Sequence, residues 1–131
     1  MATITSPASA APASRAGTSV ATVQGLFYLA TGVWPLVHID SFQAVTGPKT
    51  DLWLVYTVGV LVAAVGLVLL AAARSGRITP EVVLLAAGCA VALAGIDVVF
   101  VARQVIDRIY LADAVAEAVL LVWWGTCRWT R

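Results

Sequence analysis

The chain has 131 residues, of which 61% are hydrophobic and only 11% charged, and its mean hydropathy is +0.95. A soluble domain of this size could not cover so much apolar surface, so the composition points to a lipid bilayer as solvent. The net charge of +1, with no Lys/Arg-rich run, excludes a nucleic-acid partner. Two cysteines are too few for a disulfide framework, so Cys89, inside an apolar run, and Cys127, beyond the last one, read as free thiols.

Residues 1–19 are almost all Ala, Ser, Thr and Pro with the single charge Arg15, a composition that predicts a disordered tail. The apolar run that follows starts near Val20 and has no small-residue cleavage pattern after it, so it reads as a retained helix rather than a signal peptide. This first span, 20–37, is the least hydrophobic, carrying Gln24, Tyr28 and Thr31 and ending in Trp34 and Pro35 at an interface. His38 and Asp40 then leave the bilayer. The loop Ser41 to Asp51 carries Phe42 and Val45 for the membrane surface and the turn signal Thr46, Gly47, Pro48. Gly47 to Thr50 lacks the first glycine and the preceding strand of a phosphate loop. Thr50 or Asp51 is placed to cap the next helix.

The second span, 52–73, has no charge and begins with the aromatic anchor Trp53 and Tyr56. Arg74 to Arg77 end it, and Thr79, Pro80 and Glu81 start the third span, 81–102, with a cap, a first-turn proline and an acid at the positive end of the helix dipole. The fourth, 107–125, starts after the charged patch Arg103, Gln104, Asp107, Arg108 and ends in a belt of Trp123, Trp124 and Trp129. Residues 127–131 follow as a cytoplasmic end. The fold class is therefore all-α: an integral membrane four-helix antiparallel bundle with a disordered N-terminal tail. Arg15, Arg74, Arg77, Arg128 and Arg131 fall on one side and Lys49, Arg103 and Arg108 on the other, which favours cytoplasmic termini.

The second and third spans each carry G-x-x-x-A-x-x-G: Gly59, Ala63, Gly66 and Gly88, Ala92, Gly95. These positions share one side of a helix, where small side chains let backbones approach, and they predict helix packing within the chain or between copies.

Three acids sit inside the apolar runs: Asp97, Asp113 and Glu117. A charge at the bilayer centre costs roughly 2.5–3.5 kcal/mol on insertion scales, so each calls for a reason. Asp113 and Glu117 are four apart and share a face with Tyr110. A hairpin turning near position 105 brings Asp97 and Asp113 to similar depth, with Glu117 about 6 Å deeper at the helical rise. The same half of the bilayer receives His38 and Tyr56, which complete the candidate polar site. Its bland reading is hydrogen bonding between helices that fixes which faces meet; its sharper reading is a ligand or proton pathway. A catalytic role lacks a Ser or Cys partner for His38, and a metal site lacks a His pair or His-x-x-Glu spacing. No cofactor is expected.

The first span ending Gly32, Val33, Trp34, Pro35, the loop Ser41 to Lys49, the second span ending Gly66, Leu67, Val68, Leu69, Leu70, and Tyr110 to Ala114 together resemble the small bacterial four-helix membrane proteins grouped as DoxX-like. The resemblance implies a helical bundle in the bacterial inner membrane and carries no catalytic residues across. On the residues alone, the expected function is a non-enzymatic accessory or assembly protein with a homo-oligomeric or membrane-protein partner. The alternative is a small transporter or a pH or ligand sensor using the buried acids.

Overall fold

In the computed structural model, which describes residues 14–127, every regular element is helical: α1 Arg15–Val37, α2 Ile39–Thr46, α3 Leu52–Ser75, α4 Pro80–Ala102 and α5 Tyr110–Thr126. Three of these, α1, α3 and α4, with 23, 24 and 23 residues, are long and apolar enough to cross a membrane. Their outer faces expose large side chains such as Leu61, Leu67, Leu84 and Val91, an apolar surface suited to lipid.

Local chemistry sets the helix ends. The Ser14 hydroxyl accepts from Gly17 N and starts α1, so residues 15–19 are helical and the expected tail is shorter at this end; its residues 1–13 lie outside the described ones. The stretch expected as the loop 41–51 contains α2, started by His38, whose Nδ1 accepts from Ser41 N at 3.0 Å. At the start of α3 the Asp51 side chain makes no cap hydrogen bond, contrary to its expected role. Gly76, left-handed at φ 66°, closes α3 as Arg77 N donates to Ala72 O. The Thr79 hydroxyl accepts from Val82 N, with Pro80 in the first turn of α4.

Neither glycine nor proline ends α4; Gln104 takes the left-handed φ of 56° in the following turn. The Asp107 carboxylate then accepts from Ile109 N before α5. The last helix therefore begins at Tyr110 rather than 107 and has 17 residues, about 25 Å at the helical rise against a hydrocarbon thickness of roughly 30 Å. Arg128, Trp129 and Arg131 lie outside the described residues.

The helices pack as two pairs. Antiparallel α1 and α3 touch backbone to backbone: a Cβ on Gly32 would come 2.5 Å from Gly59 O, and one on Gly66 would come 2.7 Å from Gly25 O. Only glycine allows that approach, which maximises dispersion contact where lipid supplies no hydrophobic drive between helices. The second pair is the α4–α5 hairpin. Both pairs meet at the end that holds the start of α1 and the end of α5, where Val20, Ala21, Leu69, Ala73, Ala86, Leu120, Trp124 and Cys127 form the buried core. Burial there also pushes the Cys127 thiol up. At the opposite end, beneath α2, the pairs leave a partly open cavity between them.

Candidate functional site: an apolar cavity that ends on buried acids

The cavity has a volume of about 430 Å³. Its wall is contributed by α1 (Phe27, Tyr28, Thr31, Trp34), α2 (Phe42, Val45, Thr46), α3 (Leu54, Val58, Val62), α4 (Leu93) and α5 (Tyr110, Asp113, Glu117). Trp34 Nε1 donates to Ser41 Oγ at 2.8 Å, and its ring meets Phe42 edge to face, which fixes α2 across this end. Phe42 and Val45, expected on the membrane surface, both line the cavity, and Val45 is also 49% exposed.

Glu117 is fully buried. Its Oε2 accepts from Tyr28 Oη at 2.9 Å, whereas Oε1 has no hydrogen-bond partner among the described residues. The helical period of α5 stacks Tyr110, Asp113 and Glu117 along one side of the cavity. Asp113 is half-buried, and its acidic neighbour on α4 is the buried Asp97. The second oxygen of Asp97, Oδ2, has no partner among the described residues.

Lys49 stands at the α2 end. Its Nζ donates to Thr46 O at 2.9 Å and Gly47 O at 3.0 Å and lies 5.2 Å from the centroid of the Tyr110 ring. Deeper than Glu117, a second polar chain crosses the molecule. Trp124 Nε1 donates to Gln24 Oε1 at 2.6 Å, and Gln24 Nε2 donates to Ala86 O at 2.9 Å. This chain joins α1, α4 and α5 where the core closes, so the cavity stops short of that end.

The structure brings Asp97, Asp113, Glu117 and Tyr110 together and leaves two expected members out. His38 is exposed and caps α2, and the exposed Tyr56 is not on the cavity wall. Arg103 and Arg108 are exposed in the α4–α5 turn. Sequence reasoning left Gln24, Tyr28 and Lys49 out of the site. Gln24 and Tyr28 were signalled by their spacing of four in the least apolar span, which puts both on one helix face; nothing local signalled Lys49.

The two glycine patterns have different surroundings. Gly59, Ala63 and Gly66 are buried against α1, whereas Gly88 and Gly95 face open space and Ala92 is exposed.

No protein-family model, curated protein or solved structure matches the chain.

Proposed function

We propose that this is a non-enzymatic, multi-pass membrane protein that holds a small amphiphilic molecule in its cavity, acting as a small transporter or a ligand sensor. One observation carries the reading: an apolar cavity of about 430 Å³ ends on Glu117, a fully buried carboxyl group with one oxygen unpartnered. Small-molecule pockets run from roughly 300 to 1,000 Å³ and combine apolar walls with a few convergent polar groups. A strut between helices would be expected to satisfy both oxygens, since an orphan buried acceptor costs about 1–3 kcal/mol.

The same reading makes α5 the fourth crossing of an antiparallel bundle in the bacterial inner membrane, with both termini cytoplasmic. In support, α5 joins α1 through Tyr28 and Gln24, and Arg15, Arg74 and Arg77 share one end of the helices. A second reading, an accessory or assembly subunit, is favoured by the open small-residue face of α4 at Gly88 and Gly95.

The test uses the full chain in phosphatidylcholine nanodiscs and the neutral fluorophore N-phenyl-1-naphthylamine. A saturable fluorescence rise above that of empty nanodiscs is expected, and it should be lost in Val62→Trp, which fills the wall from α3. A rise no different from empty nanodiscs, or one unchanged by Val62→Trp, would overturn the cavity reading.

A further inference from the structure

The walls differ in what they recognise. Aromatic rings from three helices, Phe27, Tyr28, Trp34, Phe42 and Tyr110, surround the space, and ring faces attract cations through their quadrupoles. Beyond the rings lie carboxyl groups: Asp113, then Glu117 with its free oxygen. The cationic side chain on the wall, Lys49, is held at the α2 end by two backbone carbonyls over the Tyr110 ring. Its position shows that a primary ammonium group is accommodated over this ring, and it leaves the deeper acids without a positive partner on the cavity wall.

We propose that the cavity selects an amphiphilic amine, whose ammonium group lies between the Asp113 and Glu117 carboxyl groups and whose apolar body lies against Val58, Val62 and Leu93. The four-residue spacing of the two acids sets them about 6 Å apart along α5, a gap that one ammonium with N–H donors toward both sides can bridge. Such a head supplies the donor that Glu117 Oε1 lacks. A carboxylate or phosphate head would instead meet two acids. This inference rests on the cavity reading above and adds the chemical class of the ligand.

Three matched probes separate the two: 1-naphthylmethylamine, its neutral isostere 1-naphthylmethanol, and 1-naphthylacetate. They are titrated into the full chain in phosphatidylcholine nanodiscs, with empty nanodiscs subtracted. The amine is expected to bind about ten-fold more tightly than the alcohol, and more tightly still than the acetate, as a desolvated charge pair allows. Glu117→Gln and Asp113→Asn should each bring the amine toward the affinity of the alcohol while leaving the alcohol within about two-fold. If Glu117→Gln does not yield folded protein by size exclusion, the half-buried Asp113→Asn decides. Equal affinities for amine and alcohol, both lost in Val62→Trp, would overturn the ammonium assignment and leave the cavity reading standing. Tightest binding of the acetate would also overturn it. If no probe binds saturably, or Val62→Trp changes nothing, both readings fall.

Discussion

Gln24 and Glu117 are both buried polar side chains at the meeting of α1 with α5, yet their hydrogen bonding differs. Gln24 uses its oxygen and its nitrogen, accepting from Trp124 and donating to Ala86 O. Glu117 uses one oxygen and leaves the other without a partner among the described residues. A group satisfied at both ends stabilises; a group held half-satisfied is tolerated for another reason. Gln24→Leu should therefore lower stability by about 1–2 kcal/mol, because the Ala86 carbonyl loses its side-chain donor and the indole loses an acceptor. Glu117→Gln, which keeps an acceptor for Tyr28, should stay within about 0.5 kcal/mol. Denaturant titration in micelles measures both, and an equal loss for the two would mark Glu117 as a strut between helices.

At the scale of helices, one small-residue pattern occurs in two settings. On α3 it meets the backbone of α1, so that a methyl group on Gly32 would lie within 2.6 Å of Ala63 N. On α4 a methyl group at Gly88 or Gly95 would touch nothing within 4 Å. Gly32→Ala should then cost about 1–3 kcal/mol as two helices are pushed apart. Gly88→Ala and Gly95→Ala should be neutral, or stabilising by up to about 1 kcal/mol through helix propensity. Thermal unfolding in the same micelles compares them. The assembly reading adds a distinct outcome: Gly95→Leu should abolish self-association or partner capture without loss of monomer stability, and an unchanged oligomeric state would remove that reading.

Across the whole molecule, the buried core at one end and the cavity at the other make the protein asymmetric along its helix axes. The proposed four crossings put Arg15, Ser75 and Thr126 on one side and Thr50 and Arg103 on the other. In a background with Cys89 and Cys127 replaced by Ser, single cysteines at these positions should react with an impermeant maleimide in those two groups. Labelling of Arg103→Cys and Thr126→Cys from the same side would show that α5 does not cross. Native Cys127, 4% exposed and with its thiol pushed up by burial, should react slowly from either side.

Apolar run length was enough to find α1, α3 and α4, because hydrocarbon thickness and helical rise fix how many apolar residues a crossing needs. Capping chemistry located the junction at Gly76, Thr79 and Pro80. Helical period alone put Tyr110, Asp113 and Glu117 on one face. The turn at Gln104 was hidden, since a left-handed residue that is not glycine has no reliable local signature. So was α2, whose eight residues are held by Trp34 bonding Ser41 and meeting Phe42 edge to face, a contact between elements. Polarity in a sequence shows which side chains avoid lipid, and small residues show where backbones can approach. Neither names the partner. Packing of the whole chain decided that Gly59 and Gly66 meet α1 while Gly88 and Gly95 face outward, that Tyr28 rather than His38 reaches Glu117, and that a cavity forms there.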